Sequence, residues 1–89
     1  MKFYISTCDE KPHEWVLRLA NNGITLGHVS LNNLINDVAD WLPFRDYSYD
    51  LKFFEYEKTV YIKDNIETFN VKFIREIPLA EIKKLIMLR

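Results

Sequence analysis

Few residues of this 89-residue chain have side chains and spacings that suit catalysis. Cys8 is the only thiol, and the imidazole of His13 follows it in the same polar segment. A thiolate beside an imidazole base is the arrangement of a cysteine nucleophile, so a small cysteine-dependent enzyme is one hypothesis. However, no thiol-enzyme motif surrounds Cys8, and a lone cysteine after an apolar segment usually packs as a small hydrophobe. We therefore predict a protein without catalytic residues.

Two groups of carboxylates are the other candidates for chemistry, either as metal ligands or as an acid and base pair. The first group shares one segment with a histidine and comprises Asp9, Glu10, His13 and Glu14. The second is Asp37 with Asp40 on a predicted helix. Neither group has the ligand spacing of a zinc site, and the chain has no glycine-rich phosphate loop. We predict hydrated surfaces at both places, with no metal and no cofactor.

Aromatic and basic residues alternate through the second half of the chain, which suggests a nucleic-acid interface. Aromatic rings on a sheet stack on unpaired bases, while lysines contact phosphates. The residues that would form this face are Phe53, Tyr61, Lys63 and Phe69. Acidic residues are interspersed among them and the net charge is -1, so the attraction to phosphates is weak. Binding of single-stranded nucleic acid is therefore an alternative hypothesis, ranked behind protein binding.

The composition is typical of one compact domain. The chain is 48% hydrophobic and 28% charged, with two glycines and three prolines, which excludes collagen-like and low-complexity sequences. A single cysteine cannot form a disulfide within the chain, and no apolar run approaches the ~20 residues of a membrane span. We predict one domain over residues 1–89, located in the cytoplasm and not bound to a membrane.

The first part of the chain predicts three strands. Residues 2–8 are rich in β-forming side chains, and Trp15, Leu17 and Leu19 alternate within residues 14–20 as in a second strand. Asn22-Gly23 is the dipeptide that best suits a type I′ turn. Residues 24–26 are therefore predicted to return as a third strand, paired with the second.

A helix is predicted to follow these strands. Ser30 has a hydroxyl that can cap the first turn, and Pro43 ends the helix near Trp41. The apolar residues that recur with the helical period are Leu31, Leu34, Ile35, Val38 and Leu42. The remaining positions are asparagines and aspartates, so the helix has one apolar face and one polar face.

Residues 47–77 predict two or three antiparallel strands, with a turn at Asp64-Asn65. A three-residue loop would set Lys63 opposite Glu67, and a two-residue turn gives the alternative register. Pro78 then begins a short helix, whose apolar stripe comprises Leu79, Ile82, Leu85 and Ile86. This stripe packs either on its own sheet or against a second chain, in a homodimer through the C-terminal helix.

Together these elements predict an α+β fold, with one antiparallel sheet of about five or six strands packed on one main helix. Residues 1–42 also carry the features of a family. They are a strand from Lys2, acidic Asp9-Glu10, a strand around Trp15-Val16, Gly23 and Gly27 beside a third strand, and a Ser30-capped helix bearing Leu31, Leu34 and Val38. This combination resembles HicB-type antitoxins and related small proteins. The resemblance implies a β-β-β-α-β unit, a truncated RNase-H-like fold without catalytic residues, which covers a small RNA-cleaving toxin.

We therefore expect a non-catalytic protein-binding module that inhibits or neutralises a partner protein. It would be an antitoxin-like protein or a small phage-encoded inhibitor of a host system. The small size and the 15% aromatic content favour this hypothesis, because aromatic residues are enriched at the centres of interfaces. The predicted contact residues are Asn32, Asn36, Asp37, Asp40, Tyr47, Tyr49 and Tyr56.

Overall fold

The computed structural model describes residues 1–10, 12–24, 26–41 and 51–89. In these residues three strands form one antiparallel sheet of order β1-β2-β3, accompanied by three helices. The elements are β1 (Lys2–Thr7), α1 (His13–Asn21), α2 (Leu31–Trp41), β2 (Lys52–Lys63), β3 (Ile66–Ile77) and α3 (Leu79–Met87). The α+β class is confirmed, but the predicted sheet of five or six strands is wrong.

The largest error concerns residues 13–21, which form helix α1 instead of a strand. Val16 and Ala20 are the residues of this helix that lie fully in the core, and their spacing of four is helical. Trp15, Leu17 and Leu19 are only partly buried, so their alternation does not mark the inward face. The sequence of this segment fits the helical spacing of Val16 and Ala20 as well as the period-2 alternation of Trp15, Leu17 and Leu19.

The Asn22-Gly23 pair ends helix α1 and does not form a hairpin turn. Gly23 adopts a φ of 80°, its N–H donates to Ala20 at 3.1 Å, and the N–H of Ile24 donates to Leu19 at 3.2 Å. These two bonds form a Schellman motif, in which a left-handed glycine satisfies the last carbonyls of a helix. Ile24 and Leu26 do not lie in a strand, so the predicted hairpin partner is wrong at both of these described residues. Asparagine followed by glycine suits a hairpin turn as well as a helix end.

Helix α2 agrees with its prediction. The Ser30 hydroxyl accepts a hydrogen bond from the backbone N–H of Asn33 at 3.1 Å, which is the predicted N-cap. Leu34, Ile35 and Val38 are buried, as the helical period requires. The prediction for Leu42 lies outside the described residues.

Strands β2 and β3 form a hairpin with a two-residue turn. Lys63 pairs with Ile66, and both Asp64 and Asn65 have positive φ, as a type I′ turn requires. The three-residue loop is therefore wrong, and the alternative register is correct. One irregularity interrupts this hairpin between Glu55 and Tyr56, where β3 carries an extra residue.

The helices cover both faces of the sheet. Helix α1 packs on one face, here called the α1 face, with core residues Phe3, Ile5, Val16, Ala20, Phe54, Tyr56 and Val71. Helices α2 and α3 pack on the opposite face, here called the α2/α3 face, with Tyr4, Leu34, Ile35, Val38, Phe53, Ile77 and Ile82. The prediction of one main helix on the sheet is thus corrected to a three-layer arrangement. The α3 stripe packs within the chain, since Ile82 is buried and Leu79, Leu85 and Ile86 contact this core.

Among the described residues up to Trp41, the order of elements is β-α-α. It differs from the β-β-β-α order that the HicB resemblance implies.

Candidate functional site

Cys8 and His13, the candidate nucleophile and base, do not form a catalytic pair in the structure. Cys8 is exposed, and among the described residues no hydrogen bond links it to His13. The Nδ1 atom of His13 instead lies 3.1 Å from the hydroxyl of Tyr56, and its ring centroid lies 4.6 Å from that of Phe73. Burial raises the pKa of Tyr56 to about 12, so this phenol keeps its proton at neutral pH. In the structure His13 therefore belongs to an aromatic cluster on the α1 face.

The carboxylate groups hold no metal-ligand arrangement in the part of the chain that the structure describes, where no three His, Cys, Asp or Glu side chains converge. The carboxylate of Asp9 accepts a hydrogen bond from the Trp15 indole at 3.0 Å. Asp37 lies 3.5 Å from the imidazole of His28. Within the same described ranges, no helix is long and apolar enough to cross a membrane.

The residues of the nucleic-acid hypothesis do not form one surface. Phe53 is fully buried in the core of the α2/α3 face, where it cannot stack on a base. Phe69 is paired with Val60, whereas Tyr61 is paired with Thr68 on the opposite face of the same hairpin. The prediction that these rings share a stacking platform is therefore wrong. Phe53 and Tyr61 lie on the same face of β2 as Lys63, but only Tyr61 of these two rings is exposed.

Two of the predicted tyrosine contacts lie outside the described residues, namely Tyr47 and Tyr49. The third, Tyr56, is fully buried on the α1 face and stacks on Phe3 with ring centroids 5.2 Å apart. Tyr56 is therefore not accessible as a contact residue, because the central strand β2 places this ring under helix α1. Tyr56 is thus a core residue.

The predicted polar face of α2 is exposed at all four positions: Asn32, Asn36, Asp37 and Asp40. The structure adds a feature that the sequence analysis missed, a groove between α2 and α3 with a volume of about 310 Å³. It is lined by Asn32, Ile35, Asn36, Leu85, Leu88 and Arg89, and we call it the α2/α3 groove. Of the four predicted residues, Asn32 and Asn36 line the groove, whereas Asp37 and Asp40 do not.

The α2/α3 groove is lined by apolar and polar side chains together. Leu85 is partly buried against the core, and Leu88 is 73% exposed. Beside them, Arg89 donates a hydrogen bond to the amide oxygen of Asn36 at 3.2 Å. Leu88 follows Leu85 by three residues, a helical spacing that could have indicated this second apolar position. The arrangement suits an apolar anchor from another molecule surrounded by polar contacts.

A network of charged residues fixes α3 to the sheet and so holds one wall of the groove. Arg75 on β3 donates to Glu55 at 3.1 Å and to both carboxylate oxygens of Glu81 on α3, at 2.9 and 3.2 Å. Glu55 is 5% exposed and also accepts a bond from the Tyr4 hydroxyl at 3.1 Å. Lys2 completes the network, 3.4 Å from the same carboxylate. Arg75 thus joins the central strand to the last helix.

The pKa values of these carboxylates reflect the network. Burial on its own raises the pKa of Glu55, but the hydrogen bonds from Arg75 and Tyr4 and the charge of Lys2 outweigh it, and the pKa lies below its usual range. The hydrogen bonds from Arg75 likewise lower the pKa of Glu81. Because both pKa values are lower in the fold, the stabilisation is present above the unfolded-state value of about 4 and is lost as the pH falls through the folded values.

We expect Arg75→Met to lower the free energy of unfolding by about 2 kcal/mol at pH 7, because it leaves a buried carboxylate without its main partner. The loss should shrink at acidic pH, as the pH falls through the folded pKa of Glu55 and this carboxylate becomes protonated. Glu81→Gln, which removes only the outer carboxylate, should cost much less at pH 7. Urea unfolding of both variants at the two pH values measures these differences, and an equal loss for Arg75→Met at both would refute the role given to Glu55.

Comparison with known proteins adds no relative: no protein-family model matches the chain, and no curated protein or solved structure is significantly similar to it.

Proposed function

We propose that this chain is a non-catalytic protein-binding module that inhibits or neutralises a partner protein, and that the α2/α3 groove is its contact surface. The observation that carries the proposal is that the apolar side chains of Leu85 and Leu88 line the groove together with the amides of Asn32 and Asn36. Interfaces commonly combine an apolar centre, which excludes water, with a polar rim that fixes orientation.

The groove indicates the chemistry of the partner segment. A volume of about 310 Å³ accepts a few side chains. An amphipathic helix or extended segment could place its apolar anchors there. Its polar groups would bond to Asn32 and Asn36, and a carboxylate would pair with Arg89.

The groove is held by rigid elements. Helix α2 is capped by Ser30 and α3 is tied to the sheet through Arg75 and Glu81, so both walls are in place before a partner arrives. A preformed surface loses little conformational entropy on binding, which favours affinity. A cytosolic location is part of the proposal, because Cys8 is free and exposed. The antitoxin-like and phage-inhibitor forms are narrower versions of the same proposal.

The test compares variants of the groove in affinity capture from the native cell. Asn32→Lys and Leu88→Asp place a charge in the groove, and each should reduce recovery of the specific partner by about tenfold or more. The purified partner should lose activity when mixed with the original chain and keep it when mixed with either variant.

The matched control is Asn33→Lys, which adds the same charge to the next residue of the same helix. Asn33 is exposed and does not line the groove, so this variant should capture the partner as well as the original chain does. The proposal fails if no protein is enriched over a mock capture, or if all three variants retain the partner equally.

A further inference from the structure

A second pocket lies on the α1 face of the sheet, on the opposite side from the α2/α3 groove. It has a volume of about 280 Å³ and is bordered by the end of α1, by residues that follow this helix, and by the adjacent parts of β1 and β2. We call it the α1 pocket. Its lining residues are Met1, Phe3, Ala20, Ile24, Leu26, Val29 and Lys58. Of these residues only Lys58 has a charged side chain, so the pocket is mainly apolar.

The apolar lining combines buried and exposed side chains. Phe3 and Ala20 belong to the core of the α1 face and are buried. Ile24 and Val29, in contrast, are 49% and 56% exposed. Exposed apolar side chains beside a pocket are stabilised when an apolar molecule removes them from water. The lining therefore favours a ligand with an apolar body.

The side of the pocket formed by residues 26–29 is held against β1. The N–H of His28 donates to the carbonyl of Tyr4, and the N–H of Tyr4 donates to the carbonyl of His28, both at 2.8 Å. Gly27 allows this close approach, because a Cβ at this position would lie 2.1 Å from the carbonyl oxygen of Tyr4. The pocket is thus formed in the absence of a ligand, which reduces the entropic cost of binding.

Lys58 gives the pocket a positive charge that no carboxylate neutralises. Its ammonium nitrogen lies 4.3 Å from the centroid of the Phe69 ring, and in the part of the chain that the structure describes it forms no ion pair. The carboxylate of the neighbouring Glu57 is bonded to the amino group of Met1 at 3.0 Å. Because an aromatic ring contacts only one side of an ammonium group, the remaining N–H donors of Lys58 can bind an anion.

We propose that the α1 pocket binds a medium-chain carboxylate, whose apolar chain lies against the lining residues and whose carboxylate bonds to the ammonium of Lys58. A closed apolar cavity of about 150 Å³ holds benzene, so the α1 pocket has room for roughly ten non-hydrogen atoms. Octanoate has about this size. A neutral molecule would leave the charge of Lys58 unmatched, and a cation would be repelled by it. Because the α2/α3 groove lies on the other side of the sheet, this site does not depend on the proposed function.

Isothermal titration calorimetry of the full chain with octanoate is the direct test. We expect a dissociation constant below about 1 mM for octanoate. Octan-1-ol and octylamine have the same apolar chain without the negative charge, and each should bind about tenfold more weakly.

Lys58→Met tests the assigned role of the ammonium, because it keeps an apolar side chain and removes the charge. It should weaken the binding of octanoate by about tenfold and leave the binding of octan-1-ol unchanged. The matched control is Lys72→Met, which removes the same charge from β3. Lys72 is paired with Glu57 and is exposed on the opposite face of the sheet, so this variant should bind octanoate as the original chain does.

Backbone ¹H–¹⁵N NMR spectra locate the bound octanoate and show that each variant is folded. The amide signals of Ala20, Ile24 and Leu26 should shift on titration, whereas those of Asn36 and Leu88 in the α2/α3 groove should not. The proposal is overturned if octanoate produces neither heat nor shifts, or if the shifts map to the α2/α3 groove. It is also overturned if Lys58→Met binds octanoate as tightly as Lys72→Met does.

Discussion

Gly27→Ala is expected to destabilise the fold by about 3 kcal/mol, because the new methyl group has no space and the backbone is left-handed. Gly27 has a φ of 60°, and a Cβ there would lie 2.1 Å from the carbonyl oxygen of Tyr4. That oxygen accepts a hydrogen bond from the N–H of His28 at 2.8 Å, and the N–H of Tyr4 donates back to His28 at 2.8 Å. The obstacle is backbone, which cannot move without breaking both bonds.

Gly23→Ala is the matched control for this variant. Gly23 also has a positive φ, of 80°, but a Cβ there would lie 3.4 Å from the ring of Phe69, an ordinary contact. Only the conformational strain remains, and the expected cost is about 1 kcal/mol. Urea unfolding of both variants measures the difference. Equal losses would show that residues 27 and 28 do not lie against β1 as described.

Phe53→Ala should lower the free energy of unfolding by about 4 kcal/mol, because it leaves a cavity at a fully buried site beneath helices α2 and α3. Its neighbours in that core are Leu34 and Val38 on α2 and Ile77 on β3, which belong to two different elements and cannot all move into the space. The cavity therefore persists and adds to the lost burial. The unfolding midpoint in urea should fall steeply with little change in slope.

Tyr61→Ala is the control, since this aromatic residue lies on the same face of the same strand and is 52% exposed. This substitution should lower the free energy of unfolding by less than about 1 kcal/mol. Comparing the two variants also distinguishes a core aromatic residue of β2 from a surface one. If Phe53→Ala proved as mild as Tyr61→Ala, the placement of Phe53 beneath the helices would be wrong.

Helices α2 and α3 were predictable because, in each, several local sequence signals indicate the same helix. In α2 the Ser30 cap, the helical period of Leu34 and Val38, and the polar residues between them indicate the same element. In α3, Pro78 and the apolar stripe do so. Local signals suffice where none of them suits a competing structure.

Helix α1 and the sheet were mispredicted because their local signals are ambiguous. Asn22-Gly23 suits both a type I′ turn and a helix end, and the choice depends on whether Val16 and Ala20 find a sheet to cover. The hairpin turn at Asp64 and Asn65 has the same ambiguity, because two registers give acceptable pairs. Tertiary packing decides in each case.

The candidate site was only half predictable for a related reason. The polar residues Asn32 and Asn36 follow from the pattern of α2 alone. Their partners Leu88 and Arg89 become neighbours only when α3 packs beside α2, although more than fifty residues separate them in sequence. A single helix pattern cannot show a groove that two helices form.

The most direct test of the protein-binding function is site-specific photo-crosslinking in the native cell. A benzophenone amino acid at the position of Leu88, which is 73% exposed in the α2/α3 groove, should crosslink one specific protein. The same amino acid in place of Asn33, exposed on α2 outside the groove, should not. A single crosslinked partner from position 88 and none from position 33 is the predicted result. No crosslink at position 88, or the same products from both positions, would contradict the proposed function.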